Sequence, residues 1–135
     1  MEVEVTSGVM AALRAEAKKA GDDECCGLLL GRIEGDGTER IEIAEAAANV
    51  AVNRRIHFEI DPLALLSAHK AARSGGLRLL GYYHSHPTGD SIPSATDCEH
   101  STGDSRIWAI IARSEVAFWR DSGNGFVPLA PRAAD

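Results

Sequence analysis

Apolar positions along the chain change their period several times, and each change marks an element. From Thr6 to Ala20, cap-type Thr6 and Ser7 precede strong helix formers, and Gly21 follows the basic last turn as a stop, which predicts a first helix. Cys25 to Ile33 is a short apolar run, Gly35-Asp36-Gly37 offers turn chemistry, and Glu39 to Ala44 alternates, so a two-stranded hairpin is expected. Alternation returns from Arg55 to Ile60, a third strand, before Asp61-Pro62 supplies an N-cap and N1 for a second helix ending before Gly75-Gly76. Leu77 to Tyr83 reads as a buried strand that delivers His84 at its C-terminal end. A loop then gives way at Ser94 to a short helix, and Arg106 to Ala112 and Glu115 to Arg120 close the pattern as two strands. The order α, β, β, β, α, β, α, β, β predicts an α/β fold with a single central mixed sheet flanked by helices. The order of strands within that sheet is not legible in the pattern.

Composition narrows the picture. The 135 residues are 44% hydrophobic and 25% charged, enough for one core, and one domain over residues 1–135 is expected. A net charge of -6 gives no overall attraction to phosphate backbones or anionic lipid, so neither nucleic acid nor membrane is an expected partner. Met1-Glu2-Val3-Glu4-Val5 lacks the basic and apolar regions of a secretory signal, and the expectation is a soluble, cytoplasmic chain. Three cysteines, two of them the adjacent Cys25 and Cys26, do not make a disulfide framework, and there is no C-x-x-C pair for a thiolate metal site. A metal site would therefore use histidine and carboxylate. Oligomerisation is left open.

The chemistry concentrates around His84-Ser85-His86-Pro87. Side chains two apart on a strand share a face, so His84 and His86 can aim both imidazoles at one point while Ser85 faces away. Asp97, in the first turn of the helix that begins at Ser94, brings a carboxylate back toward that point. Three protein ligands with a fourth position open describe a catalytic zinc site, whereas structural sites are closed. Each piece also has a plainer reading: paired histidines are often ordinary polar residues, and Ser94-x-x-Asp97 is a common helix start in which Ser94 caps and Asp97 meets the positive end of the dipole. The joint spacing, with Ser94 eight residues and Asp97 eleven residues beyond His86, favours the metal site.

Other candidates weigh less. His57 and His69 read as ordinary strand and helix histidines, and His100 shares a helix face with Asp97 as a group behind the ligands. Cys25 and Cys26 read as packing residues, Cys98 as a thiol beside a ligand, and Tyr82, Tyr83, Trp108 and Trp119 as core or sheet-face aromatics. Glu24 stands beside Asp22 and Asp23, an acidic corner that is ordinarily just solvated.

The HSHP run with S-x-x-D at this offset resembles the motif of the JAMM (MPN+) zinc metalloproteases, specifically their prokaryotic stand-alone type. Two further segments share the resemblance: Glu24-Cys25-Cys26-Gly27-Leu28-Leu29-Leu30-Gly31 and Phe58-Glu59-Ile60-Asp61-Pro62. It implies an MPN, cytidine-deaminase-like fold, one zinc ion on His84, His86 and Asp97, Glu24 as the general base or acid, and Ser94 steadying the oxyanion. It also implies cleavage of a peptide or isopeptide bond at the C-terminus of a ubiquitin-like or sulfur-carrier protein; on physical grounds alone, a flexible carrier tail could add as a strand along an exposed sheet edge beside the metal. Two rivals stand against this reading: a metallohydrolase of small amides or phosphate esters, and a scaffold module without catalysis. A two-metal phosphoesterase needs more ligands than the clustered histidines supply. A scaffold has no need for all five filled positions.

Overall fold

Adjacent leucines in the second strand divide between two cores. Leu29, with Tyr83, Ile41 and Ile107, packs against Val9 and Leu13 of the first helix; Leu28, with Leu79, packs against Ala68 and Leu65 of the second. Successive strand side chains point to opposite faces, so one central sheet carries a helix on each side. The structure is a computed structural model that describes residues 2–135. Its elements are β1 (Val3–Val5), α1 (Ser7–Ala20), β2 (Cys26–Ile33), β3 (Glu39–Ala47), α2 (Pro62–Arg73), β4 (Arg78–Ser85), α3 (Ala95–His100), β5 (Ile107–Ala112), β6 (Glu115–Ser122), β7 (Gly125–Leu129) and β8 (Arg132–Ala133).

Among the described residues the strands form one eight-stranded sheet in the order β7-β6-β5-β4-β2-β3-β1-β8. The sheet is mixed, as expected: β4 with β5 and β1 with β3 and β8 run parallel, the remaining pairs antiparallel. Gly81 lets β4 and β5 approach, since a Cβ there would lie 1.8 Å from the carbonyl oxygen of Ile107. The helix starts follow the expected caps, with Thr6 Oγ1 accepting from the Val9 N–H and Asp61 from the Leu63 N–H. No helix among the described residues is long and apolar enough to cross a membrane.

The structure departs from the sequence pattern at two places. Residues 55–60 do not form a strand; the chain turns at 54–56, and the segment's β pairing is limited to an isolated bridge between Asn49 and Ile60. Asn53 supplies the reason: its carbonyl accepts from the Ile56 and His57 N–H groups and its side chain from the Arg55 N–H, a local turn that competes with strand pairing. Ile56, part of the alternation, is 58% exposed. The additional strands β1, β7 and β8 have weak local signals. β1 and β8 are very short, and β7 carries Pro128, which an edge strand tolerates.

Candidate metal centre

β4 and β2 are central antiparallel neighbours, and their register sets Cys26 opposite His84. The end of β4 and the start of β2 therefore lie side by side, bringing His84 and Glu24 to one end of the sheet. Ser85 faces away from the histidines, as its position on the strand requires. Its hydroxyl accepts from the Cys25 N–H at 2.9 Å and its own N–H donates to the Cys25 carbonyl at 3.1 Å, tying the residue after Glu24 to the strand that carries both histidines. From the other side α3 enters with a capping box: Ser94 Oγ accepts from the Asp97 N–H, and Asp97 Oδ2 accepts from the Ser94 N–H at 2.9 Å.

Three atoms converge. His84 Nε2 and His86 Nε2 lie 3.0 Å apart, and each is 3.1 Å from Asp97 Oδ2. His84 and Asp97 are buried. The Nδ1 of His86 lies 2.6 Å from the carbonyl oxygen of Asp90, which can only accept, so this nitrogen carries the proton and the Nε2 lone pair is turned inward. Phe58 stacks on the His84 ring with centroids 4.2 Å apart and planes 17° from parallel, and Trp108 meets the same ring edge-on. His84 Nδ1 is buried without a hydrogen-bond partner among the described residues.

Two imidazole nitrogens and a carboxylate oxygen packed this closely call for a positive charge at their centre. Burial drives His84 below the usual imidazole range, favouring the neutral ligand form. Burial would raise Asp97, but in the metal-free protein protons on the imidazole nitrogens of His84 and His86, which a metal ion would replace, and the Ser94 N–H outweigh it and hold the carboxyl well below the usual carboxylate range. The donor set fits a zinc ion by chemistry and by spacing, because ligand atoms at about 2.0–2.1 Å from a tetrahedral zinc stand about 3.3 Å apart, within a few tenths of the observed triangle. Among the described residues this is the one group of three or more His, Cys, Asp or Glu side chains able to hold a metal ion.

Glu24, Ser94 and His86 line one cleft of about 200 Å³, with Arg55, Ile56 and Thr88 on its walls. Glu24 is only 8% exposed, and its carboxyl is pushed up to about 7: burial dominates, the nearby His86 opposes it and Asp97 adds to it. An acid that ionises near neutrality thus faces the same opening as a hydroxyl and a candidate ligand. Ser94 Oγ spends a lone pair on the Asp97 N–H, which leaves its own proton free to donate into the cleft.

The plainer candidates fall outside this arrangement. His69 is exposed on α2, while His100, also exposed, lines a separate cleft with Phe58, Tyr82 and Trp108. Cys25, Cys26 and Cys98 are free thiols, the first two packed at the start of β2, where burial pushes the Cys26 thiol up to about 12. Tyr83 and Trp108 are core residues, and Trp119 holds the loop before α3 through its indole N–H to the Ser91 carbonyl. The sheet edge beside the metal along which a tail was expected to add is not found in this topology. The edges are β7 and β8, whereas the candidate ligands sit on the end of central β4, just past it and on α3. Sequence reasoning gave no role to Asn49 or to the Asp90 carbonyl, because backbone partners in irregular loops leave no periodic signature.

A family model described as prokaryotic homologs of the JAB domain matches residues 6–122. The chain is similar to a desampylase of Haloferax volcanii, with 37% identity over 93 residues covering 67% of this chain and 65% of the relative. It is also similar to a probable TtuB-protein conjugate cleaving protease of Thermus thermophilus, 36% identical over 97 residues covering 72% of this chain and 62% of the relative. Both matches span slightly less than two thirds of the relatives' lengths. A solved solution structure of a protein from Desulfitobacterium hafniense superposes with a TM-score of 0.80 at 29% identity, covering 98% of this chain and 95% of the other. With the family model matching most of the chain, and with the sheet order and the His-His-Asp cluster already in place, the chain belongs to the prokaryotic JAB family of JAMM-type domains.

Proposed function

We propose that this chain is a zinc-dependent metallopeptidase, one JAMM domain over residues 1–135, that hydrolyses the peptide or isopeptide bond at the C-terminus of a ubiquitin-like or sulfur-carrier protein. The observation that carries the reading is the convergence of His84, His86 and Asp97 at the margin of a cleft that Glu24 and Ser94 also line. The names of the two relatives, a desampylase and a conjugate cleaving protease, support the reaction class and the kind of substrate.

A zinc ion held by His84, His86 and Asp97 would supply Lewis acidity to the scissile carbonyl and to an attacking water. The chain's own residues do the rest. Glu24, nearly buried at the wall of the same cleft, takes the proton released as water attacks and returns it to the departing amine, as a carboxylate that is not a metal ligand can do. Ser94 donates its free hydroxyl proton to charge developing on the carbonyl oxygen, a contact worth on the order of 3 kcal/mol. Asp90 and Phe58 hold the two imidazoles in place through the Nδ1 hydrogen bond and the ring stack. The carrier tail lies in the cleft between residues 55–56 and 88–89 and does not pair with the sheet, whose edges are elsewhere.

The test compares three proteins by elemental analysis and by cleavage of a carrier conjugate. Wild type should hold one zinc and cleave, Glu24→Gln should hold one zinc and not cleave, and His86→Ala should do neither. Two tightly bound metals per chain would favour the phosphoesterase rival, and wild-type cleavage by Glu24→Gln would remove the assigned base.

A further inference from the structure

Asn49 uses its whole hydrogen-bonding capacity within a few residues of the candidate centre. Its Nδ2 donates to the carbonyl of Glu24 at 2.8 Å and to the carbonyl of His57 at 3.0 Å. Its Oδ1 accepts from the N–H groups of Ala51 and Glu59, both at 3.0 Å. A neutral amide offers two donors and one oxygen with two lone pairs, so all four bonds are filled.

The partners matter more than the count. Glu24 lies just before β2, outside the ladder that begins at Cys26. Its main chain is held by loop atoms: the N–H donates to the Arg54 carbonyl at 2.6 Å, and the carbonyl accepts from Asn49. His57 and Glu59 flank Phe58, the residue stacked on His84. One side chain therefore fixes the backbone of the candidate proton shuttle and both neighbours of the ring that supports a candidate ligand. The segment that it organises, residues 50–59, has no ladder of its own.

We infer that Asn49 is a positioning residue: its carboxamide sets the distance between Glu24 and the His84–Phe58 pair. The catalytic part of this inference rests on the reading given under Proposed function; the clamp itself does not. A misplacement of about 1 Å in a reacting group costs on the order of a hundredfold in rate, so a loosened Glu24 should lower kcat much more than it raises KM.

Asn49→Asp is the informative substitution because it keeps the shape and an oxygen for Ala51 and Glu59 but replaces the donor to Glu24 and His57 with an acceptor. Two readouts are taken on the zinc-loaded protein. Amide hydrogen exchange by mass spectrometry should rise about tenfold or more in peptides covering 24–26 and 54–59 while those covering β4 to β6 stay protected. Cleavage of a carrier conjugate should lose about 10- to 100-fold in kcat with KM within about threefold. Asn49→Ser, which is neutral and too short to bridge, repeats both measurements should the aspartate variant fail to fold. Wild-type exchange at 24–26, or exchange raised evenly across the sheet, would overturn the clamp. A confined exchange change with unaltered kcat would overturn its role in positioning. If wild type cleaves no conjugate, the proposed function fails while the exchange result still decides the clamp.

Discussion

Glu24 carries a cost that its replacement should relieve. Its carboxyl is 8% exposed and, in the metal-free protein, is pushed up from 4.5 to about 7 by burial. The unfolded chain therefore releases this proton near 4.5, whereas the folded chain keeps it until about 7. Between these values the native state binds more protons than the unfolded state, so its stability falls as pH rises, and the loss is complete above about 7. The gap corresponds to about 3 kcal/mol. Glutamine is uncharged and has nearly the same shape, so Glu24→Gln should match wild type at about pH 4 and exceed it by about 2–3 kcal/mol at about pH 8. For a chain of this size that is on the order of 10 °C in Tm. Chelator-treated wild type and variant, unfolded by urea across the pH range, give the difference directly. Parallel stability curves from about pH 4 to 8 would refute the reasoning, since they would mean that Glu24 ionises as a solvated carboxyl does.

Further outcomes follow from the same geometry. Ser94→Ala should cost about 1 kcal/mol of stability through loss of the cap, and about 10²–10³ in kcat with zinc content unchanged; thermal melts, kinetics and elemental analysis separate the two effects. Gly81→Ala should destabilise the fold by more than about 3 kcal/mol, seen in denaturant melts, because the added Cβ would lie 1.8 Å from the Ile107 carbonyl oxygen on the strand beside the candidate ligands. Metal uptake requires neutral imidazoles. Burial lowers His86, but the bonds to Asp97 and Asp90 outweigh it and raise the ring above its ordinary 6.5, so zinc affinity in a chelator competition should weaken steadily below neutral pH.

Legibility in the sequence followed the reach of each signal. The caps Thr6, Asp61 and Ser94 mark their helices because capping is local, and the pair His84 and His86 shares a face because strand period is local. Asp97 was reachable through its spacing from His86, and its carboxylate oxygen lies within reach of both imidazole nitrogens. Glu24 carried no local signal. It reaches the site through the pairing of Cys26 with His84, a contact 58 residues apart in sequence that alternation cannot encode. Residues 55–60 misled for the opposite reason, since alternation was present without a sheet neighbour to use it and Asn53 closed a turn instead. Asn49 was silent because its four partners are all backbone atoms, three in the irregular stretch that follows it and one just before β2.

The most direct test of the account is intact mass spectrometry of a carrier protein extended at its C-terminus, incubated with the zinc-loaded chain. The account predicts a single cut immediately after the last residue of the carrier, with the extension released as a free amine. Cuts scattered along the extension, or an uncut carrier alongside full zinc occupancy for every ubiquitin-like and sulfur-carrier substrate offered, would contradict it.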